Sequence, residues 1–459
     1  MADAAHYAQE HQEAHLRELI DFLRIPSVST QPEHDGDTEA AARWLAREMG
    51  KAGLKNVRVL ETEGHPLVYG DWLHAGKDRP TVLVYGHYDV QPAEPLEQWQ
   101  TPPFEPSVRG DYLYGRGASD DKGQVYVHVK AVEALLQATE RLPVNVKFIV
   151  EGEEESGGAS LAAFIPHNRE LLAADVALVS DTTILSPEQP AIVYGLRGMC
   201  YVFLDVTGPS RDLHSGSFGG GINNPINAIG HMIARLKDED GHILIPGFYD
   251  KVRPLSDHER QVLSEFPLKQ DAWLKETGAP QAWGEPEYTL IERLGARPTL
   301  DVNGIIGGYT GSGRKTVLPS SVHAKISMRL VPDQDPAEIG ELFRQYMQAV
   351  APPSVSATVQ VLASAPASLT DLTTPAIKAA AAAYQEVFGC EPVYMREGGS
   401  IPVVSQFQSE LALETVLMGF GLPDDRIHAP NERFYLPNFY RGIRTSIRFF
   451  EEFSRRANE

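Results

Sequence analysis

The sequence predicts an α/β chain built on a mostly parallel sheet and interrupted by a ferredoxin-like α+β segment. Three observations carry this. Short apolar, β-branched runs alternate with helical stretches before residue 194 and again after residue 367. Between them the order becomes β-α-β-β-α-β. The length, 459 residues, exceeds what one ordinary core fills. The expected domains are therefore 1–194 with 367–459, and 195–366, the second carrying an insertion at about 238–298.

Taken in order, Leu16, Leu19, Ile20 and Leu23 form an apolar stripe on a helix that Pro26 ends. A second helix carries Trp44, Leu45 and Met49 and is expected to stop at Gly50 as its C-terminal cap. Strands follow at Val57–Leu60, Leu67–Tyr69 and Thr81–Tyr85, the last a buried run ending in GHYDVQP. RGASDDKG at 116–123 opens a helix on which Val125, Val129, Val132 and Leu136 keep helical spacing. Val144–Val150 delivers EGEEES, and Val176–Val179 delivers Ser180 and Asp181.

In the second segment, a strand through Met199–Val206 precedes a helix from Pro225 to Leu236, and strands lie near Thr299–Ile306 and His323–Val331. Val322, Ala324, Ile326, Met328 and Leu330 alternate with His323, Lys325, Ser327 and Arg329, the pattern of a half-exposed strand. A helix with Ile339, Leu342, Phe343, Tyr346 and Met347 and a strand near Ala357–Leu362 complete the order. The α/β pattern then returns with a helix at Ala376–Phe388, the turn REGGSIPV, a strand at Thr415–Met418 and a last helix from about Pro437.

With 41 basic against 62 acidic residues, the formal charge of −21 argues against nucleic acid and anionic membrane as partners. The N-terminus lacks the basic and apolar regions of a signal peptide, and no apolar run approaches a membrane span. Cys200 and Cys390, the only cysteines, form no disulfide framework. A cytoplasmic chain is expected.

The chemistry lies at strand ends. In an open α/β sheet ligands gather outside the carboxyl ends of the strands. There this sequence places His87, Asp89, Asp120, Glu154, Glu155 and Asp181, and His428 follows the last predicted strand. Singly, each has a plainer reading: Asp120 and Asp121 as a helix cap and its neighbour, the glutamate run as a solvated cluster, Asp181 as a turn residue. Jointly, they make a donor set. Mixed imidazole and carboxylate ligands suit Zn²⁺, Mn²⁺ or Co²⁺, whereas carboxylates alone would suggest Mg²⁺ or Ca²⁺. Two ions sharing one carboxylate, roughly 3.5–4 Å apart, hold a water whose pKa can fall from about 15.7 to about 7. GSGRKT at 311–316 is no phosphate loop, because it lacks Gly before Lys315 and runs into Val317, Leu318 and Pro319.

The ordered motifs GHYDVQP, RGASDDKG, EGEEES, Ser180-Asp181, DLHSG at 212–216 and GGSIPV with a downstream His resemble the M20 family of metallopeptidases. They are most similar to its branch of cytosolic non-specific and carnosine dipeptidases. The resemblance spans nearly the whole chain. It implies a di-metal hydrolase domain with an inserted lid and dimerisation domain, hence a homodimer. It makes Asp120 the bridging ligand, joined to Asp121 by a cis peptide, with His87 and Asp181 on one metal and Glu155 and His428 on the other. Glu154 would be the general base, and Asp89 would orient His87. A one-residue slip in the glutamate run would make Glu153 the base instead. His214 would reach the partner subunit's site to stabilise the oxyanion. Arg329 would anchor the substrate carboxylate, and Ser400 with Gly399 would contact substrate at a helix start. Asp at position 181 resembles the family's aminopeptidases and dipeptidases, where carboxypeptidases and many deacylases have Glu, which favours dipeptides. The implied reaction is hydrolysis of dipeptides or short peptides, with N-acyl-amino-acid deacylation as the alternative.

Overall fold

The computed structural model describes residues 3–399 and 401–457. They form two compact units: Met1–Tyr194, Thr370–Tyr394 and Gln406–Glu459 make the first, and Gly195–Leu369 with Met395–Ser405 the second.

In the first unit, strands lie in the order Lys55–Leu60, Leu67–Trp72, Asn145–Glu151, Thr81–His87, Val176–Val179, Thr415–Leu417 and Ala191–Leu196. The four from Asn145–Glu151 to Thr415–Leu417 are mutually parallel. Those flanking them are antiparallel, so the sheet is mixed and not mostly parallel as the sequence suggested. The connections give the reason. Residues 61–66 are too few for the crossover that parallel pairing requires, and 180–190 contain no helix to make one.

Asn145–Glu151 and Val176–Val179 are buried throughout, as strands covered on both faces must be. Helices Lys122–Thr139, Pro375–Phe388 and Leu436–Arg456 contribute to the large apolar core. Close approach at the top of the sheet needs Gly86: a Cβ there would lie 2.6 Å from Asp121 Oδ2 and from Val125. Two local expectations change. Gly50 is inside the helix Asp35–Lys51, and the left-handed glycine beyond that helix is Gly53, at φ +102°. Asp121 makes no side-chain cap; its Oδ2 accepts the His87 amide at 3.1 Å.

His128 shows how the buried helix is tied in. Its Nε2 lies 2.7 Å from Ser180 Oγ, and Nδ1 lies 2.9 Å from Ser446 Oγ. Ser180 Oγ donates to the Met418 carbonyl at 2.6 Å, so it accepts from Nε2–H and Nδ1 accepts from Ser446. Burial lowers the imidazole from 6.5 to about 3. The unfolded chain therefore binds a proton here below pH 6.5 that the folded chain refuses. This contribution to stability is complete above 6.5 and lost as pH falls toward 3. In denaturant titrations between pH 4 and 6, His128→Gln should flatten the slope of stability against pH by up to about 1.4 kcal/mol per unit. An unchanged slope would contradict this account.

The second unit contains an antiparallel sheet in the order Thr299–Gly307, Ser321–Leu330, Gly198–Thr207 and Ser356–Ala365. Helices Pro225–Ile233 and Pro336–Val350 pack on it. Val322, Ala324, Ile326, Met328 and Leu330 enter this unit's own core, and His323 and Lys325 are exposed. Residues 238–298 add helices Asp257–Ser264, Gln270–Thr277 and Leu290–Gly295, and Arg297 makes a two-pronged ion pair with Glu285 at 2.6 and 2.8 Å.

Candidate metal centre

The parallel strands deliver the site. His87 ends its strand opposite Glu151, which ends the neighbouring one. Asp181 follows Val176–Val179, and the Asp120–Asp121 cis peptide precedes the helix Lys122–Thr139. His428 comes from the loop after Thr415–Leu417 and adopts a left-handed backbone, φ +60°, uncommon for a residue with a Cβ.

Two trios of donor atoms result, His87–Asp120–Asp181 and Asp120–Glu155–His428, each with its ligand atoms within 4.8 Å of one another. They share Asp120. Its Oδ1 lies 3.0 Å from His87 Nε2, and its Oδ2 lies 2.9 Å from His428 Nε2. His428 Nε2 is also 3.1 Å from Glu155 Oε1, and His87 Nε2 is 3.8 Å from Asp181 Oδ2.

Charge follows this arrangement. Burial opposes the charged form of His87, but hydrogen bonds to Asp120 and Asp89 raise it well above its ordinary value. Bonds to Asp120 and Glu155 raise His428 to about 10. Although burial opposes it, bonding to His428 and His87 holds Asp120 well below the usual carboxylate range. The trios fit divalent cations: each joins an imidazole to carboxylates, and a cation there competes with the imidazole proton.

The glutamate run divides its work. Glu153 is engaged elsewhere, accepting from the amides of His65 and Ser160 at 2.8 Å each. Glu155 belongs to a donor trio. Glu154 is pushed up to about 8, chiefly by burial, with His87 opposing and Asp181, Glu155 and Asp120 adding to the rise. Glu153→Gln should therefore leave manganese uptake unchanged by metal analysis, since neither donor trio contains Glu153. Loss of bound metal would instead make Glu153 a ligand.

Asp89 faces both ways. Its carbonyl lies 3.0 Å from His87 Nδ1 and its Oδ1 lies 3.4 Å away. Its carboxylate also accepts the amides of Glu154 and Glu155 at 3.2 and 3.1 Å and the Ser29 hydroxyl at 2.6 Å. One contact was not anticipated: Gln91 Nε2 donates to Glu155 Oε2 at 2.6 Å. Gln91 stands inside GHYDVQP, so the motif held the signal, unread.

The remaining candidates belong to the second unit. His214 is exposed, in the short strand Leu213–His214 paired with Val317–Leu318, and its Nδ1 accepts the Gly216 amide at 3.0 Å. Val317–Leu318 is a strand directly after GSGRKT, where a phosphate loop would need a helix. Arg329 sits opposite Thr299 and Met199. Gly399 is exposed, and Ser400 lies outside the described residues.

Comparison with known proteins adds a lineage. Residues 83–452 match the family described as Peptidase family M20/M25/M40. The Beta-Ala-His dipeptidase of Rattus norvegicus is 31% identical, covering 98% of this chain and 94% of its own. The solved structure of the di-peptidase Dug1p from Saccharomyces cerevisiae superposes with a TM-score of 0.82 at 28% identity, covering 98% of both chains. That of the M20 family metallo-carboxypeptidase Sso-CP2 from Sulfolobus solfataricus gives 0.84 at 33% identity, covering 96% of this chain and 99% of the other.

Proposed function

The chain belongs to peptidase family M20/M25/M40, and from that membership we propose that it is a two-metal dipeptidase hydrolysing the amide bond of dipeptides or short peptides. The observation carrying this reading is the pair of donor trios meeting on one carboxylate, Asp120. His87 and Asp181 would hold one divalent ion, Glu155 and His428 the other, and Asp120 would serve both. Zinc or manganese is the expected metal, with cobalt a substitute. When bound, the ion pair supplies a water acidic enough to lose its proton near neutral pH.

This chain's residues do the rest. The Glu154 carboxylate takes the proton from the water and passes it to the leaving nitrogen. Asp89 holds the His87 ring through Nδ1 and keeps the Glu154 and Glu155 amides in place. The Arg329 guanidinium pairs with the substrate's terminal carboxylate, and Gly399 and Ser400, just before the helix Pro402–Leu411, receive the same end of the substrate. His214 acts at the partner subunit's site in a homodimer formed through the second unit, which serves as lid. Two unpaired cysteines fit a cytoplasmic setting, and among the described residues no helix is long and apolar enough to cross a membrane.

A substrate panel tests this reading. With added Mn²⁺ or Zn²⁺, dipeptides should be turned over far faster than N-acetyl or N-succinyl amino acids. Turnover of acyl amino acids alone would overturn it. Sequential release of C-terminal residues from longer peptides, with dipeptides spared, would favour the carboxypeptidase activity named for the Sulfolobus relative.

A further inference from the structure

The turn that presents Asp120 is gripped by a carboxylate from far along the chain. Glu432, fully buried, accepts four hydrogen bonds from it. Its Oε2 takes Arg116 Nη1 at 2.7 Å and the Gly117 amide at 3.0 Å; its Oε1 takes the amides of Ser119 and Asp120 at 3.0 and 3.1 Å. Arg116, 1% exposed, also donates from Nη2 to the Pro92 carbonyl at 3.0 Å. The turn packs closely and needs a glycine: Gly117 sits at φ +82°, and a Cβ there would lie 2.6 Å from Val90.

The same carboxylate sits just beyond His428, and that segment is laced to the turn at a second point. Asp425 Oδ2 accepts the Ser119 hydroxyl at 3.0 Å and the Leu422 amide at 2.7 Å. Asn431, at φ +65°, is held through the Gln100 amide and the Gln98 carbonyl, both at 2.8 Å. Asp120 and His428 thus hang on one hydrogen-bonded frame, although 308 positions separate them.

We propose that Glu432 is a positioning residue for the metal pair: its carboxylate, wrapped by Arg116 and the Gly117, Ser119 and Asp120 amides, fixes where Asp120 stands relative to His428. This rests on the reading of Asp120 as the shared ligand. An ion pair needed only for packing would be met by Arg116 and one oxygen. Here both oxygens are spent on the backbone that aims the ligand, including the Asp120 amide itself. Glu432 touches no reacting atom. Its influence travels through the turn, as that of partners orienting metal ligands does.

The test uses the full chain, cobalt(II) as probe, and the substitution Glu432→Gln. The glutamine amide keeps the size but turns a donor toward Arg116 or toward the turn's amides, where only acceptors fit. The expected result is a 10–100-fold rise in the cobalt Kd with a shifted visible absorption spectrum, while far-UV circular dichroism stays that of the native chain. A folded E432Q variant with unchanged cobalt Kd and spectrum would overturn the proposal. If E432Q does not fold, Glu432→Asp decides, since it keeps the charge but withdraws the carboxylate by one methylene: a raised Kd supports the role, and native affinity and spectrum overturn it. Native protein that failed to take up two cobalt ions would instead remove the shared-ligand reading beneath it.

Discussion

Replacing Glu154 by glutamine should leave metal content unchanged while dipeptide turnover falls by about 10²–10⁴-fold, the usual contribution of a positioned acid–base group. Glu154 stands outside both donor trios, so the ligands keep their geometry. Its amide bond to Asp89 uses the backbone, which glutamine retains. What would disappear is the proposed proton acceptor, because an amide oxygen is too weak a base to take a proton from water. Burial, with Asp181, Glu155 and Asp120 beside it, raises the proton affinity of this carboxylate against the opposing effect of His87. Metal analysis and kcat on one preparation provide the check. A variant with native kcat would remove Glu154 from the role, and one that lost its metals would make it a ligand.

Asp120→Asn should be as damaging by a different route. Both imidazoles converge on this one carboxylate, one on each oxygen. An asparagine offers one oxygen and turns an NH₂ group toward the other position, so on the proposed reading one ion would lose a ligand and meet a donor in its place. Removing a direct ligand should exceed the 10–100-fold loss of affinity typical of changes one shell further out, and activity should fall with it. Isothermal titration with manganese reads the effect. Two ions bound with native affinity would show that the trios do not depend on this bridge.

These expectations rest on features of unequal visibility in the sequence. GHYDVQP, RGASDDKG and EGEEES announce themselves because each follows a buried strand or opens a helix, and chain-local grammar suffices to place them. The structure brings His87, Asp120 and Asp181 into one trio of donors and Asp120, Glu155 and His428 into another. Strand direction was less legible: alternation of strands and helices suggests a mostly parallel sheet, and only the short connection 61–66 and the helix-free stretch 180–190 mark the flanking strands as antiparallel. Position inside the glutamate run was ambiguous for a related reason. Which of Glu153 and Glu154 stands beside the donor trios is decided by His65 and Ser160, whose amides occupy Glu153. Glu432 was invisible. Its partners lie more than three hundred residues earlier, and a lone Glu after Asn431 carries no pattern until the fold closes around it.

The central claim is that two cations flank Asp120. Crystals grown with manganese and measured for anomalous scattering test it most directly. Two peaks roughly 3.5–4 Å apart should appear, one beside His87 and Asp181 and one beside Glu155 and His428. A single peak, or peaks away from Asp120, would contradict it.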